Sequence, residues 1–345
     1  MAVSLSLCLI VKNEERNLRQ VLGNAHLYAD EIVIVDTGST DKTKEIASEY
    51  TKNIYDFVWC DNFSAARNFA ISKCTKDFII WLDADDMILD ADAVNIKKIF
   101  EQSPLADVYL LPYFYEYHAN GKSSTVIPRE RIFRNNKQFS FIYPVHEILH
   151  VAEGAIRRAI AIPIYHKHTK QTEFIKHCRR NLALLLAAVK AEHYKEDMRL
   201  WWSLAAEYSK LEEYEKSLNI YYMAVAKKTR NLSGQQESVL HIEIADLLFM
   251  KQEWHKAQEH MEIAIALHPF WREPYFQYAR LQCQTRQYVA SSELLLFCKT
   301  IALPEDHGVL DLQIYNNKTI DRLLAGVYFR MGRIGSAIFS FFNSL

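Results

Sequence analysis

The chain has 345 residues, of which 50% are hydrophobic and 24% are charged, a composition typical of globular domains. Its 41 Lys and Arg nearly balance its 42 Asp and Glu, and the net charge of −1 gives no general attraction to nucleic acid or to an anionic membrane surface. Glycine (9) and proline (8) are scarce, which argues against long linkers and against an all-β fold, and the length allows two domains.

The six cysteines are scattered and form no CxxC pair, which predicts reduced thiols and a cytoplasmic location. The apolar N-terminal run meets the polar residues 12–15 at once, so it predicts a buried strand rather than a signal peptide. No later stretch reaches the ~18–20 apolar residues that a membrane span requires. The sequence therefore predicts no integral membrane segment.

The first half of the chain alternates short apolar runs with helical patterns. Strands are predicted over Ser4–Val11, Ile32–Val35, Ile54–Val58, Phe78–Leu82 and Val108–Tyr115. Helices are predicted over Asn13–Leu27, Lys42–Tyr50, Ala91–Gln102, and from an Asn62 cap to Lys73. This order indicates an α/β domain with a mainly parallel sheet and helices on both faces. Ligands of such sheets bind at the carboxyl ends of the strands.

From about Thr172 the pattern becomes continuously helical, with the spacing of tetratricopeptide repeats. The small residues Ser217, Ala257, Ser291 and Ala337 occupy one phase of this pattern. We therefore predict a catalytic domain over residues 1–170 and an all-α repeat domain over residues 171–345. The repeats would either bind a partner in a groove or serve only as a stabilising lid. A second copy of the chain completing the last repeat would give a homo-oligomer.

The strongest single motif is Trp81-Leu82-Asp83-Ala84-Asp85-Asp86, in which an apolar strand leads into clustered carboxylates. Such a cluster repels itself unless a cation or hydrogen-bond donors neutralise it. Carboxylate oxygens are hard ligands that suit Mn²⁺ or Mg²⁺, and a metal here would bridge a diphosphate. The alternative interpretation is a solvated cluster before a helix.

Two further candidates follow other strands. Asp36 would accept a hydrogen bond from a base or a ribose hydroxyl, or it would cap the helix that follows. Arg67, in Phe63–Asn68, falls on the first turns of a helix and suits planar or phosphate recognition, with a surface ion pair as the alternative.

Three arginines and three histidines complete the set of candidates. Arg129 and Arg131 share one face of a predicted strand and Arg134 lies on the other, where they would bracket a diphosphate or be solvated. The adjacent His146 and Glu147 suggest a general base. His166 and His168 share a strand face and would ligate a metal.

The segments SLCLIVKNEE, DEIVIVDTGSTDKT, DNFSAARNFA, FIIWLDADD, PRERIFRN, YPVHE and IYHKH together resemble glycosyltransferase family 2, of the GT-A fold. Their order and spacing match over about residues 3–170. With the helical repeats, the chain resembles a bacterial subgroup that includes peptide S-glycosyltransferases modifying bacteriocins. The resemblance implies an inverting enzyme that takes a sugar from a nucleotide-diphosphate donor, usually a UDP-sugar.

The resemblance also implies roles for individual residues. Glu14 and Asp36 would line the nucleoside pocket, and Arg67 would lie beside the base or the phosphates. Asp83 would hold the ribose or the metal, while Asp85 and His166 would ligate it. Glu147 would be the base on the acceptor side, although many family members carry a Glu-Asp pair where this chain has His146-Glu147.

The implied mechanism is a single in-line displacement onto a peptide or protein acceptor. One alternative is a transferase acting on a lipid-linked or lipopolysaccharide glycan, which the absence of a membrane anchor disfavours. The second alternative is an inactive scaffold that uses only its repeats for binding.

Overall fold

The computed structural model describes residues 3–101, 105–117, 125–136, 138–167, 171–191, 194, 197–226, 234–304 and 311–344. The chain divides into two compact units, Met1–Gln171 and Thr172–Leu345. The first is an α/β unit and the second is entirely helical over its described residues. None of the described helices is long and apolar enough to cross a bilayer.

One large sheet forms the centre of the first unit. Its strands are β1 (Leu5–Val11), β2 (Glu31–Asp36), β3 (Ile54–Asp56), β4 (Phe78–Trp81), β5 (Asp86–Met87), β6 (Val108–Tyr117), β7 (Thr125–Arg134), β10 (Arg157–Ala159) and β11 (Ile164–Lys167). A separate hairpin consists of β8 (Ser140–Ile142) and β9 (Ile148–His150). The strand order is β3-β2-β1-β4-β7-β6-β11-β5, with β10 on β6. Within the large sheet the pairing of the described strands is mainly parallel, and only β4–β7, β6–β7 and β5–β11 are antiparallel.

Helices cover both faces of the sheet, as predicted. The helices of this unit are α1 (Leu18–Leu22), α2 (Thr43–Ser48), α3 (Phe63–Ile71) and α4 (Asp90–Ile96). In β1, Leu5, Leu7 and Leu9 pack into the core that also holds buried residues of α1, α2 and α4, whereas Cys8 packs into the opposite core with α3 and the β8–β9 hairpin. Because both faces are covered, β1 reads as a continuous apolar run in the sequence.

The first predicted helix, Asn13–Leu27, is helical only as α1 and a 3₁₀ turn at Ala25–Leu27. Residues 13–15 form a turn instead, and Asn13 adopts a left-handed φ of 57°. Their backbone N–H groups bond to side chains of the neighbouring β2–α2 loop, for example from Asn13 to Ser39 Oγ and from Glu14 to Thr43 Oγ1. These bonds compete with helix formation. The helix predicted over Ala91–Gln102 is present as α4 followed by a 3₁₀ turn (Lys97–Glu101), and Gln102 lies outside the described residues.

The second unit begins with α5 (Gln171–Ala188) and continues as four helical pairs. The pairs are α6 (Met198–Lys210) with α7 (Tyr214–Ala226), α8 (Gly234–Met250) with α9 (Trp254–Leu267), α10 (Arg272–Gln284) with α11 (Tyr288–Cys298), and α12 (Asn317–Arg330) with α13 (Ile334–Asn343). In two pairs a buried serine of the second helix bonds to a buried alanine carbonyl of the first: Ser217 to Ala205 and Ser291 to Ala279. Small residues at this phase let the helices of each pair approach closely.

The turn inside each pair contains one residue with a left-handed backbone, always at the same phase. These residues are Glu212, Gln252, Arg286 and Gly332, with φ between 62° and 73°. Only the last is a glycine, so three pairs hold a side chain in a conformation that costs roughly 1–2 kcal/mol outside glycine.

We expect Gln252→Gly to raise the free energy of unfolding of the helical unit by about 0.5–1 kcal/mol, because the strain relieved exceeds the entropy that glycine adds to the unfolded chain. Gly332→Ala should lower it by a similar amount, since a Cβ there meets no atom within 4 Å and only the φ of 73° opposes it. Urea denaturation of both variants measures this. Equal shifts in the same direction would contradict the account.

Candidate active site

The candidate site lies at the carboxyl edge of the sheet, where β2 and β4 end on either side of β1. Asp36 is the last residue of β2 and pairs in register with Val11 of β1. The Asp83–Asp86 segment follows β4 directly. Since neighbouring strands lie ~4.8 Å apart, the two strand ends are separated by about 10 Å. The structure therefore brings the two predicted groups of aspartates to one edge.

Asp36 is buried, and its two carboxylate oxygens differ in their partners. Oδ1 accepts hydrogen bonds from the backbone N–H groups of Gly38 and Ser39, both at 2.9 Å. Oδ2 is also buried but has no hydrogen-bond partner. The first oxygen fixes the turn after β2, rather than capping α2, and the second is an acceptor that a ligand N–H or O–H group would satisfy.

Glu14 lies in the turn after β1 that is bonded to this loop. Its backbone N–H donates to Thr43 Oγ1 at 2.7 Å, and its Oε2 accepts from Asn17 at 2.8 Å. Its charge also raises the pKa of Asp85. Glu14 therefore lies within electrostatic reach of the acid cluster at the end of β4.

Strand pairing brings His166 to the acid cluster, 80 residues away in the sequence. In the antiparallel pair β5–β11, His166 lies opposite Asp86. Its Nδ1 is 3.0 Å from Asp86 Oδ1 and 3.5 Å from Asp85 Oδ1. The backbone carbonyl of Asp85 accepts from the N–H of Lys167 at 3.1 Å, which ties the cluster to β11. His168 lies outside the described residues.

Asp86 is the internal anchor of this cluster. Its side chain is fully buried, and Oδ1 accepts from the Tyr113 hydroxyl at 2.7 Å. Oδ2 accepts from the backbone N–H of Asp83 at 2.9 Å and lies 3.1 Å from Arg131 Nη1. Because both oxygens have partners inside the protein, Asp86 positions Asp83 and His166 around it.

Arg131 does not face an open surface, as a diphosphate ligand would need. It is fully buried, with its guanidinium carbon 3.8 Å from the centre of the Trp81 ring and 4.2 Å from that of Tyr113. It pairs with Asp86 at 3.1 Å and with Asp83 at 3.6 Å. The β6–β7 register shifts beside it, and such a bulge turns a side chain inward. Its charge neutralises the cluster from within.

Arg134 is not brought to this site. It pairs in register with Phe78, the first residue of β4, and so lies at the opposite end of that strand from Asp83. Its Nε is 3.0 Å from Asp107 Oδ1. Its role there is an ion pair at the far edge of the sheet.

Arg67, from α3, links two of the predicted acids. Its Nε is 2.7 Å from Glu147 Oε1, and its Nη2 is 2.6 Å from Asp83 Oδ1. The guanidinium also stacks over Trp81 at 4.4 Å. Asn62 begins α3 as predicted, accepting from the Ala65 N–H at 2.9 Å. The structure thus places Arg67 between the two carboxylates, with few atoms left exposed for a phosphate.

The loop carrying His146 and Glu147 is fixed by α3. The N–H of Phe63 donates to the carbonyl of Pro144 at 2.8 Å, and the Ser64 hydroxyl donates to the carbonyl of Tyr143. Tyr143 and His146 both have left-handed backbones, with φ of 75° and 52°. The surrounding bonds hold this strained loop so that Glu147 reaches Arg67.

The charges of the cluster perturb its acids and its histidine in different directions. Burial alone would raise the pKa of Asp83, but the charges of Arg67 and Arg131 outweigh it and hold that pKa well below its usual range. Burial and the neighbouring carboxylates raise the pKa of Asp85 to about 7, although His166 opposes this. Burial would lower the pKa of His166, but the three aspartates raise it to about 9. A metal ligand must be a neutral imidazole, so a cation binding here would displace that proton.

These residues fit a divalent metal ion. Ligand atoms of Asp83, Asp86 and His166 lie within 4.8 Å of one another. Asp85 is 3.5 Å from the same imidazole nitrogen and its side chain keeps 31% of its exposure. Carboxylate oxygens are hard ligands of the kind that Mn²⁺ and Mg²⁺ take. Asp85 is the more accessible ligand, since both oxygens of Asp86 already have partners.

Sequence reasoning missed the residues that support the cluster. Asp86 was part of the motif but received no role, and Tyr113 and Trp81 were read as ordinary strand residues. Their signal in the sequence is a polar or aromatic side chain in or next to a strand, and without the strand pairing such a residue looks like ordinary core packing. Only the register of β5 with β11 and of β6 with β7 identifies them.

The first unit is similar to known proteins over most of its length. Residues 6–162 match the family model described as Glycosyl transferase family 2. A TPR repeat-containing protein of Synechococcus elongatus is 31% identical over 197 residues, which are 57% of this chain and 47% of that protein. The SPbeta prophage-derived glycosyltransferase SunS of Bacillus subtilis is 30% identical over 149 residues, which are 40% of this chain and 33% of SunS.

This chain therefore spans about half the length of the first relative and a third of the second. Among solved structures, S. aureus TarS residues 1–349 in complex with UDP is 18% identical, with a TM-score of 0.38, covering 69% of this chain and 86% of that one. The family match covers β1 through β10 and most of the acid cluster. The first unit thus carries a glycosyltransferase family 2 domain, matched over residues 6–162, and tetratricopeptide-like helical pairs follow it.

Proposed function

We propose that the chain is an inverting, metal-dependent glycosyltransferase that moves a sugar from a nucleotide-diphosphate donor, a UDP-sugar, to an acceptor. One observation carries the proposal. Asp36, with a buried acceptor lacking a partner, lies at the same sheet edge as the cluster of Asp83, Asp85 and His166. The separation of about 10 Å suits a nucleoside at one end and a diphosphate at the other.

The donor would be held by residues of both groups. Asp36 Oδ2 would accept from the base and fix its orientation, with Glu14 beside the same pocket. Asp83, Asp85 and His166 would hold Mn²⁺ or Mg²⁺. When bound, the ion supplies positive charge that stabilises the diphosphate as a leaving group.

The reaction would be a single displacement. The acceptor attacks the anomeric carbon from the face opposite the nucleotide, while the bond from that carbon to the diphosphate oxygen breaks and its electron pair leaves with the diphosphate. Glu147 takes the proton of the acceptor. Arg67, bonded to both Glu147 and Asp83, keeps the base and the metal-side carboxylate in fixed relative positions.

We expect Glu147→Gln to lower kcat by about 10²–10⁴-fold with a hydroxyl acceptor, because the amide keeps the bond to Arg67 but cannot take a proton. A thiol acceptor would reduce this loss, since thiols ionise readily. His146→Asn should keep a kcat close to that of the parent enzyme, because asparagine also tolerates a left-handed backbone. Both variants are measured by the rate of nucleotide release. A larger loss of this rate in His146→Asn than in Glu147→Gln would show that the histidine is the base.

The acceptor we propose is a peptide or protein side chain held by the helical pairs. Glu243 and Asp246 lie one turn apart on α8, where Glu243 is half-buried and Asp246 is exposed. Carboxylates that solvent can reach on a helical repeat suit hydrogen bonds to the backbone of an extended chain. Peptide and glycan acceptors offered with the same donor would separate this proposal from a glycan transferase.

The cysteines bear on the cellular location of the enzyme. All six cysteines carry free thiols, which supports a reducing, cytoplasmic location.

The last helical pair leaves large apolar side chains more than half exposed, which supports self-association into a homo-oligomer. These side chains are Phe329, Ile334, Ile338, Phe339, Phe341 and Phe342. Sedimentation at several protein concentrations would measure the oligomeric state.

A donor screen tests the proposal as a whole. The full chain is incubated with a panel of UDP-sugars and other nucleotide sugars, and release of the nucleotide diphosphate is followed with Mn²⁺ and with EDTA. We expect release from one class of donor that EDTA abolishes. An enzyme that turns over no donor, or turns one over equally well in EDTA, would overturn the proposal.

A further inference from the structure

Three arginines of the candidate site differ in how their charge is compensated. Arg67 contacts two carboxylates, those of Asp83 and Glu147, at 2.6–2.7 Å. Arg131 also contacts two, those of Asp83 and Asp86, at 3.6 and 3.1 Å. Both cations are therefore neutralised inside the protein.

The third cation, Arg129, has no such partner. Among the described residues, no carboxylate lies within ion-pair distance of its guanidinium. Its Nη1 donates to the hydroxyl of Tyr115, which is not a carboxylate. Its side chain is half-buried in register with Leu111 of β6.

Arg129 nevertheless lies beside two aromatic residues of the site. Its guanidinium carbon is 5.9 Å from the Trp81 ring centre and 5.7 Å from that of Tyr113, the same two rings that enclose Arg131. Burial would lower the pKa of Arg129, but the neighbouring Tyr115, Tyr113, Asp83 and Glu147 raise it further above its usual range. The guanidinium is thus permanently charged and lies within electrostatic reach of the proposed base and the metal-side carboxylate.

A partly desolvated cation without an ion-pair partner is costly, and an anionic ligand would remove that cost. The planar guanidinium presents several donors to phosphate oxygens, and the Tyr115 hydroxyl occupies one of them. The other arginines of β7 are not available, since Arg131 is enclosed and Arg134 pairs with Asp107 at the far end of β4.

We propose that Arg129 is the residue that binds the diphosphate of the donor and takes up its charge as it leaves, an inference that rests on the proposed transferase function. When the bond from the anomeric carbon to the diphosphate oxygen breaks, the electron pair moves onto that oxygen and the acceptor proton moves to Glu147. Arg129 donates hydrogen bonds to the departing diphosphate and transfers no proton. Tyr115 holds its guanidinium in place.

The test compares Arg129→Gln and Arg129→Lys with the control Arg134→Gln, which removes an arginine of the same strand outside the site. Binding of UDP and of uridine is measured by calorimetry with Mn²⁺, and kcat is measured by nucleotide release. We expect Arg129→Gln to weaken UDP binding at least about tenfold and to lower kcat about 10²-fold, while uridine binds as before. UDP binding and kcat of Arg129→Lys should fall between those of Arg129→Gln and the parent, because lysine keeps the charge but loses the planar set of guanidinium donors.

The outcomes are distinct. If the parent chain binds UDP and releases nucleotide but Arg129→Gln does both equally well, the diphosphate role of Arg129 is refuted and the transferase function stands. If the parent neither binds UDP nor releases nucleotide, the proposed function fails and this inference falls with it. Should Arg129→Gln not fold, Arg129→Lys decides: UDP binding and kcat equal to the parent would refute the role.

Discussion

Arg131→Met is expected to lower the free energy of unfolding of the α/β unit by roughly 3–5 kcal/mol, because it removes one partner of a buried ion-pair network. The side chain of Asp86 is fully buried, and Arg131 is the cation that lies 3.1 Å from it. Methionine fills the space between the Trp81 and Tyr113 rings but cannot compensate the charge. Urea denaturation followed by tryptophan fluorescence measures the change.

Two further variants make this stability test specific. Arg134→Met removes a pair whose members keep 34% and 27% of their side-chain exposure, so it should cost no more than about 1 kcal/mol. Adding Asp86→Asn to Arg131→Met should recover part of the loss, since the amide carries no charge to bury. An Arg131→Met variant as stable as Arg134→Met would show that the buried carboxylates do not depend on this arginine.

The second large effect concerns activity. Asp85→Ala and His166→Ala are each expected to reduce metal-dependent release of nucleotide diphosphate by about 10³-fold or more, since several kcal/mol of charge stabilisation at the leaving group depend on the metal. Asp90→Ala is the matched control. It removes a carboxylate five residues further along the chain that is exposed and bonds to Asn24 at 2.9 Å. Undiminished turnover in Asp85→Ala would rule out the metal assignment.

Much of the fold follows from local patterns. Strands β1 to β4 begin and end within two residues of the predicted bounds, because each is an apolar run bounded by turn residues. The Asn62 cap and the phase of Ser217 and Ser291 were readable for the same reason, since both are local rules. The convergence of Asp36 and Asp83 follows from the rule that parallel strands end at one edge.

The inner arrangement of the site could not be read in this way. His166 meets Asp86 only through the short antiparallel pair β5–β11, and a two-residue strand has no pattern of its own. Arg131 turns inward at a register shift between β6 and β7, which alternation alone does not predict. Arg67 was expected beside the base or the phosphates. Its partners in the structure, Asp83 and Glu147, are 16 and 80 residues away in the sequence, so local patterns do not reveal these ion pairs.

We expect the carboxylates at the ends of β2 and β4 to bind one ligand together with a divalent ion. Calorimetric titration of UDP in Mn²⁺ and in EDTA measures this coupling. We expect Mn²⁺ to tighten UDP binding at least about tenfold, or ~1.4 kcal/mol, and we expect Asp85→Ala to abolish the difference while Asp90→Ala retains it. UDP binding of equal strength in Mn²⁺ and EDTA, or no binding heat in either, would contradict it.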